Sequence, residues 1–110
     1  MTLEFVEGDA PGRVRLVGEL DLGSAPAAAT SLELKCQQVD LLEVDLSELT
    51  FIDSSGVRVL LRAFKDLADR GGTLVLEYPT PTVQRVFDLL GLAANGVAIR
   101  TAAGSSEAAR

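Results

Sequence analysis

The sequence has no histidine and no tryptophan, one cysteine, and only two lysines, Lys35 and Lys65. Each absence removes a class of function. Without histidine there is no Ser-His-Asp or Cys-His catalytic pair, and the commonest transition-metal ligand is missing. The lone Cys36 cannot close an internal disulfide, which fits a reducing compartment. Aromatic residues make up only 5% of the chain, so the core has to be built from Leu, Val, Ile and Ala. No apolar run is long enough to span a bilayer, and the opening "MTLEFVEGDAPGRV" carries acids where a signal peptide would carry basic and then apolar residues. A cytoplasmic location is expected. The net charge is -6, and such a surface repels phosphate backbones and anionic lipid heads. Nucleic acid and membrane are therefore not expected as partners; a protein with a basic face is the more natural one.

What is present suits a folded domain. The chain is 110 residues long and 47% hydrophobic. A domain of this size buries roughly 65% of its unfolded surface, enough for a core without staples. "TLEFVE" and "RVRLVGEL" alternate apolar and polar positions around the turn-rich "GDAPG", which predicts an opening hairpin. In "LDLGSAPAAATSLELKCQQV", Ser24 can cap a helix and Pro26 can occupy its first turn, with Ala28, Leu32, Cys36 and Val39 on one face. "LLEVDL" (41–46) is a short apolar run that predicts a buried central strand.

The clearest helix follows. Val57, Leu60, Leu61, Phe64, Leu67 and Ala68 recur at steps of three and four, with Arg58, Arg62, Lys65, Asp66, Asp69 and Arg70 opposite; Gly71 and Gly72 stop it. "TLVLEY" predicts another strand. "PTVQRVFDLLGL" predicts a helix capped near Thr80 or Thr82, with Val83, Val86, Phe87 and Leu90 inward and Gly91 at its end. "GVAIR" predicts a last strand. Strand-helix alternation of this kind calls for an α/β domain with a mostly parallel sheet of about five strands, right-handed crossovers and an antiparallel opening edge.

The stretch "FIDSSGVRVLL" (51–61) carries more polar groups than a helix start requires. One side chain suffices for a cap, yet Asp53, Ser54 and Ser55 stand in a row before Gly56. Strand ends in parallel sheets are where ligands and partners sit. A serine in the first helical turn is also a favourable place for a phosphate, because the free N–H groups and the positive helix end support its charge. Nucleophilic chemistry at Ser55 is not supported: there is no histidine base, Lys65 lies about 15 Å along the same helix, and the G-x-S-x-G elbow is absent. Asp21, in "GELDLGS", reads as a turn or capping acid, or as a second member of the same patch. Asp45 at a strand end reads as a structural acid bonded to nearby backbone. No phosphate-binding glycine loop is present, and Asp40, Glu43, Asp45 and Glu48 lack the spacing of a calcium loop. No metal, cofactor or catalytic residue is expected.

Three of these segments resemble the anti-sigma factor antagonists, the single-domain members of the STAS family: "GELDLGSAP", "VDLSELTFIDSSGVRVLL" and "PTVQRVFDLLGL". The likeness runs over roughly residues 3–100, which implies a STAS domain over 1–100 and a short tail or truncated last helix over 101–110. It also implies a non-enzymatic function. The unmodified protein would bind an anti-sigma factor that is also a serine kinase, and so release a sigma factor. Phosphorylation of Ser55 would end the complex, and a serine phosphatase would reset it. On that resemblance Asp21, Asp53, Ser54, Ser55 and Gly56 form the partner-binding patch. The alternative is a STAS adaptor or scaffold subunit of a transport or stress-signalling complex, with no switch.

Overall fold

The computed structural model describes residues 3–101. In chain order the elements are β1 (Leu3–Glu7), β2 (Arg13–Leu20), α1 (Ala25–Cys36), β3 (Leu41–Asp45), β4 (Leu49–Ile52), α2 (Ser54–Asp69), β5 (Thr73–Glu77), α3 (Pro81–Leu90) and β6 (Ala98–Arg100). The expected strands and helices are present in the expected order, with one additional strand, β4, between β3 and α2. Residues 102–110, nearly all of the expected tail, lie outside the described residues.

One sheet runs β1-β2-β3-β5-β6; the β1-β2 pair is antiparallel and the other pairs are parallel. A sixth strand, β4, was not predicted, and it pairs with β2 in parallel. Its four residues, "LTFI", bury only the first and last, so no period-2 pattern marks it. Strand β2 therefore changes neighbour along its length. Arg13 to Arg15 lie beside β3, whereas Gly18 to Leu20 lie beside β4. The change falls at Gly18, where the register shifts and φ is 112°, a backbone state that glycine reaches without a Cβ clash.

Pleating sorts the side chains. Val14, Val44, Leu76 and Ile99 form one row across four strands, continued by Leu42 and Leu74. Against this aliphatic layer pack Ala28, Leu32 and Cys36 of α1 and Val57, Leu60, Ala63 and Leu67 of α2. Alternation sends the neighbouring residues Arg13, Arg15, Glu43, Asp45, Glu77 and Arg100 to the opposite face. There Glu77, wholly buried, accepts from Arg13 at 2.9 Å and from Arg100, and Glu43 accepts from the same two arginines at 2.6 and 3.2 Å. Burial pushes the Glu77 carboxyl up, against the pull of the two guanidiniums. Asp45 has the structural role expected of it: it accepts from the Ser47 N–H at 2.8 Å and pairs with Arg15.

The helix boundaries follow their chemistry. Thr80 accepts from the Val83 N–H and caps α3, and Gly91, in the left-handed region, ends it. Gly71, at φ 79°, follows the end of α2. Two face assignments differ from the periodic reading. In α2, Val59 and Ala63 are buried and Ala68 is exposed, because α1 lies along one flank and widens the covered stripe. In α3, which packs on β4, Val83 and Phe87 are buried and Leu90 is exposed at the last turn.

Candidate functional site

The corner where β2 and β4 end and α1 and α2 begin brings together all five expected site residues. Asp53 is the N-cap of α2, in extended backbone. Its Oδ1 accepts from the Gly56 N–H at 3.1 Å, which satisfies one of the unpaired donors of the first turn. Its Oδ2 accepts from the Leu22 N–H at 3.2 Å, from the segment that links β2 to α1. One carboxylate thus fastens two chain segments 31 residues apart.

At Gly56 α2 comes hard against the end of β2. A Cβ there would lie 2.6 Å from the Leu20 carbonyl oxygen and 2.8 Å from Ile52 Cγ1, so only glycine fits without displacing backbone. Asp21 closes the neighbouring loop. Its Oδ1 accepts from the Ser24 N–H at 3.0 Å, while its own N–H donates to the Ser24 hydroxyl at 3.0 Å. The Ser24 N–H bond holds the Asp21 carboxyl below the usual carboxylate range. Ser24 stands at the N-cap position of α1, as expected, but its hydroxyl does not cap: its backbone is already helical, and the oxygen turns back to donate to the Glu19 carbonyl at 2.8 Å.

The two serines have different surroundings. Ser54 is exposed at the first position of α2, and Ser55 is half-buried at the second. Ser55 lines a shallow groove of about 300 Å³ between α1 and α2. Ala25, Pro26, Ala29 and Val59 give it an apolar lining. Arg58 and Arg62 line the same groove, and Leu22 is 75% exposed at its mouth. Sequence reasoning placed both arginines on the solvated face of α2; the spacing Ser55, Arg58, Arg62 was the signal that they share a side with the serine. Among the described residues no side-chain base accepts from the Ser54 or Ser55 hydroxyl; the one hydroxyl–carboxylate contact at the corner, Ser24 to Asp21 at 3.2 Å, belongs to the loop that leads into α1. No group of metal-binding side chains occurs among the described residues, and no described helix is long and apolar enough to cross a membrane.

The family model for the STAS domain matches residues 2–105. The chain belongs to the STAS domain family. Among STAS proteins, it is 34% identical over 80 residues to the anti-sigma-B factor antagonist of Bacillus subtilis, covering 73% of each chain. It is 32% identical over 81 residues to the anti-sigma F factor antagonist of Paenibacillus polymyxa, covering 72% of this chain and 69% of the relative. In structure, this STAS domain superposes on an anti-sigma factor antagonist from Mycobacterium paratuberculosis with a TM-score of 0.75 at 23% identity, covering 98% of this chain and 92% of that one. The family expected from the sequence is therefore matched by the family model and by sequence relatives, and the STAS fold by a solved structure.

Proposed function

We propose that this STAS domain is an anti-sigma factor antagonist whose complex with an anti-sigma factor is ended by phosphorylation of Ser55. The observation that carries the reading is the placement of Ser55: its side chain lines an open groove at the second position of a helix whose N-terminus is fixed by other residues. Two sequence relatives are named as antagonists of anti-sigma factors. The Bacillus protein SpoIIAA, solved in its phosphorylated form, aligns with this chain at 25% identity and a TM-score of 0.65, covering 99% of this chain and all of that one.

The partner is an anti-sigma factor with serine kinase activity. The Ser55 hydroxyl oxygen attacks the terminal phosphorus of ATP, its proton passes to a base of the kinase, and ADP leaves. A serine phosphatase later directs water onto the phosphate ester, which returns the hydroxyl and releases inorganic phosphate. The added group brings about -1.5 to -2 charges to the corner. Because Asp53, Asp21 and Gly56 hold the backbone without help from Ser55, the charge acts on the partner and leaves the fold in place.

The test is to incubate the protein with its anti-sigma factor and ATP and to map the phosphate. Ser55 is the expected site. Ser55→Ala should bind and no longer release. Ser55→Glu should bind about a hundredfold more weakly, about 2.7 kcal/mol. Phosphate on another residue, or a Glu variant as tight as the parent, would sink the switch. A complex that survives full phosphorylation of Ser55 would point to the adaptor role instead.

A further inference from the structure

The groove beside Ser55 is opposite in charge to the chain as a whole. The chain is acidic overall, yet the polar side chains lining this groove next to Ser55 are the guanidiniums of Arg58 and Arg62. Arg62 has an internal partner, Asp66 at 3.7 Å. Arg58 has none among the described residues, whose salt bridges use Arg13, Arg15, Lys35, Arg62, Lys65 and Arg100. Helix stability does not account for Arg58 either. It lies one turn in from the positive end of α2, where a cation gains nothing from the helix dipole. Its side chain is exposed, so packing does not require it. Beside it are the apolar lining and Leu22, an aliphatic side chain held in water by a backbone bond to Asp53.

We propose that Arg58 recognises a carboxylate of the anti-sigma factor, carried next to an aliphatic side chain that enters the α1–α2 groove, and that phosphate on Ser55 takes the same guanidinium. The proposal rests on the functional reading above and names the chemistry of its contact. The groove volume suits an inserted side chain and lies at the lower end of small-molecule pockets. Ser55 and Arg58 are three apart on the helix, a spacing that brings side chains within about 5–6 Å of one another at Cβ. An arginine fork binds carboxylate and phosphate through the same donors. Phosphorylation then does two things at once: it removes the cation that the partner's carboxylate needs, and it leaves a net negative charge facing that carboxylate. The partner surface expected from net charge alone was basic; at this groove the complementary surface is acidic and aliphatic.

The experiment uses the full chain and, as the probe, the purified anti-sigma factor that the parent captures, with affinity read by calorimetry at two salt concentrations. Arg58→Glu should weaken binding of the unmodified protein by about tenfold or more, and Arg58→Gln by less. Arg58→Gln should also flatten the salt dependence. Arg85→Glu, an exposed arginine on α3 away from the groove, should stay within about twofold. All three should keep the parent melting temperature. In a second arm, phosphoserine is installed at position 55 during translation, with no kinase required, and its second ionisation is followed by phosphorus NMR. The midpoint should be lower in the parent than in Arg58→Gln. Equal affinities for parent and Arg58→Glu would overturn the contact with the partner. Equal phosphate midpoints would overturn the competition, with the antagonist function untouched. A parent that captures no anti-sigma factor would bring down the functional reading and this inference together.

Discussion

The open face of the sheet and the corner at the start of α2 are both rich in polar side chains, and they use them in opposite ways. On the sheet face, Arg13, Glu43, Glu77 and Arg100 turn toward one another, and the most buried member, Glu77, is held from two sides. At the corner, the acids turn toward backbone: Asp53 to Gly56 and Leu22, Asp21 to Ser24. That leaves the Ser55 hydroxyl at the groove and the exposed Arg58 guanidinium with no side-chain partner among the described residues. A dense cluster of charges is therefore a poor guide to function when its members satisfy each other. The useful sign is a polar group left over after the local backbone has been provided for.

Substitutions can break this contrast or sharpen it. The largest effect is expected at Gly56. Gly56→Ala puts a methyl against the Leu20 carbonyl and should lower stability by about 3 kcal/mol, measured by urea unfolding. An unchanged midpoint would show that α2 can lift off the sheet, and the corner would not be the fixed platform described. Next is Glu77→Ala, expected to cost about 2 kcal/mol, less than a fully buried pair because Arg13 and Arg100 keep one side in water. It should leave affinity for the anti-sigma factor unaltered; a loss of affinity at parental stability would erase the distinction between the two regions. Asp53→Ala removes a cap and the tie to Leu22 and should cost about 1–2 kcal/mol, with Asp53→Asn recovering part of it.

The smallest effect concerns pH. The Asp21 carboxyl titrates below its ordinary value of 3.8 in the folded protein. Its contribution is therefore complete above that value and is lost as pH falls through the depressed folded value. Asp21→Asn should narrow the stability gap from the parent on the acid side only, as read from thermal melts between neutral pH and pH 3. A gap that stayed constant across this range would remove the Ser24 bond as its cause.

The sequence made the fold legible wherever a pattern ran for several residues. The hairpin, the three helices and the strands at 41–46, 73–78 and in "GVAIR" each carry a period or a stop signal that survives in the structure. Strand β4 does not, since four residues with two buried ends give no alternation. Val59 and Ala63 were missed because the width of a helix's buried stripe depends on the neighbour that lies along it. The corner was legible as a location: Asp21, Asp53, Ser54, Ser55 and Gly56 do meet. Their division of labour was not. The bond from Leu22 to Asp53 spans 31 residues, and no local spacing encodes it. Arg58 looked like one more solvated charge until the groove beside it was in view.

The exchange of neighbours along β2 has a consequence for motion. This strand is hydrogen-bonded along both edges, by β1 on one side and by β3 and then β4 on the other, whereas among the described residues β1 and β6 are each paired along one edge. Its amides should be among the slowest in the domain to trade hydrogen for deuterium. The last residue of β2, Leu20, accepts from the Asp53 N–H at 3.3 Å and lies directly under Gly56. The corner is thus hung from a strand paired on both edges, and the proposed partner would find little backbone there left to order.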